Sequence, residues 1–358
     1  MQKFPNILAG QCMTPLPKFA YSSNQSATMQ QYSKHRPSFQ PASHPKIMKK
    51  HPFIQLSFLS AVILAIPYLE LASAESTPLF EQKNIVAWCI VPFDSVKRGP
   101  AERAEMVQKL GITKVAYDWR EEHVPQFEQE ILEYQKRGIE FFAFWGAHDE
   151  AFRLFEKYRL HPQIWQTAPS PTGTATRDEQ IQKAAMQLLP MVDRTRKLDC
   201  KLGLYNHGGW GGEPENLVAV CEYLHRHHDA KHVGIIYNQH HGHSHVEHFS
   251  QDLAAMKPYL LCLNLNGMTR DGDKRDMKIQ PVGQGELDLP LLKNIFESGY
   301  RGPIGIIGHT NDDVELRLRD NLDGLNWLVP QLSGKPADSK PIPRLPLTPK
   351  FAAPANSK

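Results

Sequence analysis

Between Tyr237 and His248 the chain carries five histidines, His240, His241, His243, His245 and His248, directly behind the apolar run VGIIY. Imidazole titrates nearest neutral pH and is the commonest side-chain ligand for metals, so this concentration behind a strand-like run points to acid–base or metal chemistry. His207 in LYNHGGW and His309 in IGIIGHT follow two other such runs. Neutral imidazoles converging from separate strands suit Zn²⁺, Mn²⁺ or Fe²⁺ better than Ca²⁺ or Mg²⁺. His207, His240 and His309 are therefore the candidate metal ligands, although each alone reads equally well as a hydrogen-bonded structural residue. Asp118, closing KVAYD, is the candidate general base, with Arg120 nearby to favour its ionised form. The competing role for Asp118 is a structural contact with Arg120 or a cap for the helix beginning at Glu121. His148 and His240 complete the catalytic candidates. His245 and His248 read as a solvated face, and His225, His227 and His228 sit at a helix end, where they suit the dipole.

Around these stand aromatic and amide side chains at equivalent places: Tyr117, Trp145, Asn206, Asn238, Asn264 and Asn266. Amides hydrogen-bond hydroxyl groups and aromatic rings cover the apolar face of a sugar ring, so this set is expected to bind a carbohydrate or another small polyhydroxylated substrate. The stretch NHGGWGGEPEN either lets backbone approach a ligand or is simply a sharply turned loop.

The positions gain meaning from the elements that carry them. From Asn84 to Leu332 apolar strands alternate with amphipathic helices: NIVAWCIVPF before PAERAEMVQKLG, ITKVAYDW before EEHVPQFEQEILEYQKRG, and so on through GPIGIIGHT before VELRLRDNLDGLNWLVPQL. Eight such units in this length predict a (β/α)8 TIM barrel, whose active site lies at the C-terminal ends of the strands. A doubly wound open sheet would bring a glycine-rich phosphate loop after its first strand, and VPFDSVKRGP is not one.

Residues 1–47, rich in Ser, Gln and Pro, show no apolar period and read as a disordered leader or as sequence upstream of the true start. Residues 48–74 have the three parts of a secretory signal peptide: Lys49 and Lys50, the apolar run FIQLSFLSAVILAI, and Ala72-Ser73-Ala74 before Glu75. Cleavage after Ala74 would leave a secreted or periplasmic protein with no stable membrane span. The proline-rich segment 333–358 reads as a disordered tail. Of 41 basic and 38 acidic residues in the whole chain, the first 74 hold seven and one, leaving 34 against 37. That slightly acidic remainder argues against nucleic acid as a partner. Cys89, Cys200, Cys221 and Cys262 form no C-x-x-C pair, so zinc-finger and redox motifs are excluded on spacing. Cys89 and Cys262 are expected inside strands as small buried hydrophobes.

The order of these pieces resembles the xylose isomerase-like TIM-barrel superfamily of sugar isomerases and epimerases over about residues 84–332. The resemblance is carried by LGITKVAYD, by YNQHHGH, and above all by PVGQGELDLPLLKNIFESGYRGPIGI. There Gly283, Gly285, Glu286 and Asp288 match a Gly-x-Gly-acid-x-Asp loop between strand seven and its helix. The resemblance implies proton transfer between adjacent sugar carbons, assisted by a divalent metal held by two Glu, an Asp and a His. This chain departs from that ligand set: strand four ends in Trp165-Gln166, strand six offers Asn238, and strand eight ends in His309. The expectation is therefore an exported isomerase- or epimerase-like enzyme with a His-rich metal site. The alternatives are a metal-assisted lyase for oxidised glycosides and a non-catalytic carbohydrate-binding barrel.

Overall fold

The computed structural model describes residues 79–173 and 176–347. The leader, the signal-like segment and the last eleven residues lie outside that range. Eight parallel strands close into a barrel in sequence order. They are β1 (Ile85–Trp88), β2 (Lys114–Tyr117), β3 (Glu140–Trp145), β4 (Gln163–Thr167), β5 (Leu202–Tyr205), β6 (Val233–Asn238), β7 (Leu260–Leu265) and β8 (Ile304–Ile307). The helices between and after them are α1 (Pro100–Lys109), α2 (Phe127–Lys136), α3 (Asp149–Tyr158), α4 (Arg177–Lys197), α5 (Pro214–His228), α6 (Phe249–Met256), α7 (Asp288–Glu297) and α8 (Val314–Leu332). The single helix expected from Glu121 is divided. A 3-10 segment covers Glu121–Gln126 and the α-helix starts only at Phe127, because Pro125 has no amide hydrogen to donate.

Alternate strand residues face the helices and the barrel interior. Ile85, Ala87, Val115, Tyr117, Leu202, Leu204, Ile235, Tyr237, Ile304 and Ile306 join the large apolar layer under the helices. A smaller inner cluster holds Val86, Trp88, Ala116, Trp165, Tyr205, Ile236, Cys262 and Ile307. Gly203 makes room for two of these side chains, since a Cβ there would lie 2.4 Å from Ile236 and 3.1 Å from Trp165. The alternation slips twice, between Val115 and Ala116 in the β2–β3 pairing and between Ile235 and Ile236 in the β6–β7 pairing. Such irregularities re-aim the residues that follow them.

A buried ion pair braces the first two helices. Arg103 donates to Glu130 at 2.5 Å and to the carbonyl of Arg98, with both side chains essentially inaccessible. Burial pushes the Glu130 carboxyl up, against the pull of Arg103.

The tail is not free where it is described. Beyond α8 it runs back along that helix: Trp327 donates to the carbonyl of Asp338, Gln284 to that of Pro341, and Arg317 to that of Pro346. Arg344 bonds Asp320 through its amide and its guanidinium, at 3.0 and 2.9 Å, and Asp323 at 2.6 Å. Residues 338–346 of the segment expected to be disordered thus supply polar contacts to α8 and Gln284 that composition alone does not announce. Truncation after Gly334 would leave the buried Asp320 carboxylate without these donors. It is expected to destabilise the barrel by about 1–3 kcal/mol, read as a lower urea midpoint at unchanged slope.

Candidate active site

The strand ends converge on a cavity of about 120 Å³ lined by Trp88, Cys89, Phe93, Asp118, Arg120, Trp145, Tyr205, His207, His240, His241 and His309. Its wall is a chain of rings. Arg120 lies over Phe93 at 5.4 Å, and Phe93 meets His309 at 3.7 Å. His309 faces His240 at 5.7 Å, His240 packs on His241 at 3.7 Å, and His241 meets His207 at 4.5 Å. Trp145 closes the circuit, 6.1 Å from His207 and 5.8 Å from Trp88. At this size the cavity takes one small ring or its open-chain form; drug-sized ligands need roughly 300 Å³ or more.

Asp118 is buried in this wall. Its Oδ1 accepts from the Val91 amide at 3.3 Å, while Oδ2 has no hydrogen-bond partner. Burial pushes its carboxyl up to about 7, opposed by Arg120 and by backbone donors. It neither caps the segment after it nor forms an ion pair with Arg120: the cap contact runs from the Arg120 amide to His123 Nδ1, at 2.9 Å. The histidines move the other way. Burial, the neighbouring imidazoles and the Lys278 ammonium hold His240 well below its usual range. Burial with the His207 and Lys278 charges brings His241 to about 3, and burial with the Arg120 and Lys278 charges brings His309 to about 4. His207, at the exposed rim, is lowered by partial burial and Lys278. At neutral pH the wall therefore holds neutral imidazoles around a carboxyl poised between its two forms.

His240 is fixed from behind. Asn238 Oδ1 accepts from its Nδ1 at 3.0 Å, so Nδ1 carries the hydrogen and Nε2 presents a lone pair. Asn238 also donates to the Tyr205 hydroxyl, which accepts in addition from Trp88 Nε1 at 3.1 Å. Asn238 is thus a support beneath the wall rather than part of it. Strand β1 ends one residue before Cys89, which adopts the left-handed conformation (φ 58°) at the cavity floor instead of continuing the strand.

Several expected binding residues are elsewhere. Tyr117 faces outward and packs on Phe127, Phe141 and Phe144, because the residue before an inward Asp118 must point to the opposite side. Asn206 continues the β5–β6 ladder, exchanging bonds of 2.8 and 3.1 Å with the Asn238 backbone. Asn264 lies a layer below the cavity against Gly305, where an added Cβ would overlap its Oδ1. Asn266 ties down the loop after β7, donating to the carbonyls of Gly267 and Lys278 at 3.0 and 2.9 Å. His148 caps α3, its Nδ1 accepting from the Glu150 amide at 3.2 Å, and its ring packs on Trp119. His245 is buried rather than solvated, bridging the Tyr237 hydroxyl and Glu213 at 3.0 and 3.1 Å. His243 binds the Lys278 carbonyl at 2.9 Å. Gly211 lies so near the carbonyls of Ala168 and Pro169 that a Cβ would approach them to 2.5 Å, so the glycine-rich loop serves packing.

The matched Gly-x-Gly-acid-x-Asp loop is likewise architectural. Asp288 accepts from the amides of Met268, Gly283 and Gly285 at 2.6–2.9 Å. Trp88 and Tyr205, absent from the expected binding set, are both in the wall. Strand parity would have found them, since each shares its face with an inward residue two positions earlier, Val86 and Gly203.

The expected metal set is not assembled. Among the described residues no group of three or more His, Cys, Asp or Glu side chains is arranged to hold a metal ion. His241 stands between His207 and His240, packing on both, and His309 meets His240 edge-on at 5.7 Å. Cys89, Cys200, Cys221 and Cys262 are buried free thiols. No helix among the described residues is long and apolar enough to cross a membrane.

The closed parallel barrel with its site at the strand C-termini is a (β/α)8 TIM barrel, similar in fold to solved xylose isomerase-like proteins. The chain is similar to a xylose isomerase domain protein from Planctomyces limnophilus, at 13% identity and TM-score 0.51, covering 72% of this chain and 100% of that one. It is also similar to the IolI protein, solved with a zinc atom, at 13% identity and TM-score 0.51, covering 68% and 98%. A D-psicose 3-epimerase solved in the presence of D-fructose matches at 11% identity and TM-score 0.50, covering 70% and 99%. At these identities the likeness is one of fold. No protein-family model matches the sequence, and no curated protein matches it.

Proposed function

We propose that the chain is a sugar isomerase- or epimerase-like enzyme that moves a proton at a carbon next to a carbonyl group. The observation that carries this reading is the buried Asp118 with its unpartnered Oδ2 in a cavity of aromatic rings and neutral imidazoles. The fold is shared with a solved epimerase. Asp118 acts as the base toward the carbon-bound proton and, once protonated, as the acid that returns it. A carboxyl near 7 is matched to this double task at neutral pH. Arg120, on the wall, orients the substrate by offering guanidinium hydrogens to one of its oxygen-bearing groups. The lone pair on His240 Nε2 accepts from the neighbouring sugar hydroxyl, holding it in place. Trp88, Trp145 and Tyr205 cover the apolar face of the substrate and exclude water.

Among the described residues the donors present do not form a set that fits a metal, so the proton transfer falls to Asp118. The test is solvent exchange. Candidate ketoses and aldoses are incubated in D2O with the purified protein, with and without chelator, and deuterium is read at the carbon beside the carbonyl. Exchange that survives chelation is the expected result. Loss on chelation, restored by Zn²⁺, Mn²⁺ or Fe²⁺, would replace this mechanism with a metal-assisted one. Sugar binding without any exchange would leave a carbohydrate-binding barrel, and exchange with loss of a substituent would make it a lyase. The signal-like segment 48–74 supports export of this chemistry from the cytoplasm; finding the protein in the cytoplasmic fraction with that segment still attached would overturn the reading.

A further inference from the structure

The charges around the cavity are unbalanced. Among the described residues Asp118 is the only carboxylate in its wall, whereas Arg120 lies in the wall and Lys278, which does not line it, is near enough for its charge to bear on all four histidines. Neither cation has a carboxylate partner among the ion pairs of the described residues, although neighbouring loop cations do. Arg98 binds Asp94, Asp313 and Glu315, Arg270 binds Glu247, and Lys274 binds Asp271. Arg120 spends one donor on the Trp119 carbonyl at 2.7 Å and rests its face on Phe93. Lys278 is held through its backbone, whose carbonyl takes His243 and Asn266.

Two cations against one carboxylate beside a small, partly desolvated cavity favour an anionic ligand. From Arg120 in the wall of a cavity whose one acid is Asp118, with Lys278 near the wall without lining it and no carboxylate ion-paired to either cation, we infer that the substrate is a carboxylated sugar, bound with its carboxylate on Arg120 and on the side that Lys278 approaches. This inference rests on the proton-transfer reading above and specifies its substrate class. A planar carboxylate matches the guanidinium fork. A phosphate would be expected to find backbone amides as well, yet the glycine-rich loop after β5 packs on Ala168 and Pro169 just beyond β4, and the amides of Gly283 and Gly285 are taken by Asp288. The carboxylate also keeps the sugar's carbonyl end beside Asp118, because the cavity has room for one ring.

The experiment compares neutral and carboxylated members of matched pairs: D-glucose with D-glucuronate, D-galactose with D-galacturonate, and D-mannose with D-mannuronate. Glucose 6-phosphate is the phosphate control. Binding is measured by calorimetry at low and high salt on the full chain and on the Lys278→Gln and Lys278→Arg variants. Lys278 makes no side-chain bond in the described structure, so the glutamine variant is expected to fold. In at least one pair the carboxylated sugar should bind about tenfold tighter or more. That advantage should shrink at high salt and in Lys278→Gln, and return in Lys278→Arg. Equal binding within every pair, or an advantage untouched by Lys278→Gln, overturns the inference while leaving proton transfer standing. Tighter binding of glucose 6-phosphate than of every uronate overturns the carboxylate assignment. Failure of all these sugars both to bind and to exchange deuterium overturns this inference together with the proposed function.

Discussion

Replacing Asp118 with Asn is expected to lower kcat/KM for deuterium exchange by about 10²–10⁴-fold, the usual contribution of a positioned general base. The amide keeps the shape of the carboxyl and its acceptor for the Val91 amide, but it cannot take a proton. Substrate binding should change far less than turnover, since Asp118 works on the reacting carbon. The same assignment fixes the pH dependence. Because burial pushes the Asp118 carboxyl up to about 7, its ionised form grows as pH rises through that value, and kcat/KM should rise with it to a plateau. The wall histidines add no limb near neutrality, because His241 and His309 are displaced to about 3 and 4. A rate that falls from pH 6 to pH 8, or wild-type turnover in the Asp118→Asn variant, would remove Asp118 from the mechanism.

Histidines with lowered values also shape stability. The unfolded chain binds protons at these sites below about 6.5, whereas the folded wall does not until about 4 or 3. Their contribution is therefore present above 6.5 and lost as pH falls through that window. Asp118 and Asp288, both raised to about 7, work oppositely: their contribution is complete below their unfolded values and lost as pH rises through 7. The site is thus a compromise in which a base useful at neutral pH is kept at some expense to the fold.

The second large effect is on stability and lies away from the chemistry. Arg103→Met should destabilise the barrel by about 3–5 kcal/mol, because it removes the counter-charge of Glu130 and leaves a carboxyl with no water around it. The arginine also ties α1 to the carbonyl of Arg98, whose own guanidinium joins the loop after β1 to α8 through Asp94 and Asp313. Pairing the change with Glu130→Leu removes the stranded charge, so the double variant should recover most of the loss in urea denaturation. A double variant no more stable than Arg103→Met would show that the two residues do not act as a unit. Catalysis in the double variant should stay near wild type, since neither residue lines the cavity.

What the amino-acid order determined by itself was the architecture: eight apolar runs separated by amphipathic segments fix eight strand–helix units, and closure of a parallel barrel gathers their C-terminal ends. Local pattern suffices there because each run buries the same faces wherever it lies in the ring. It also marked Asp118, Trp145, His207, His240 and His309, all of which line the cavity. Which neighbour of each faces inward was decided by the tertiary structure. Strand parity sends Tyr117 outward beside Asp118 and Asn206 into the ladder beside Tyr205. The register slips beside β3 and β7 and the left-handed turn at Cys89 interrupt that parity in ways a single sequence does not announce. The histidines show the same division. Their number behind β6 was plain, but His243 and His245 bind groups far along the chain, Lys278 and Glu213. Only the packed barrel determines which imidazoles those partners claim and which remain to line the cavity.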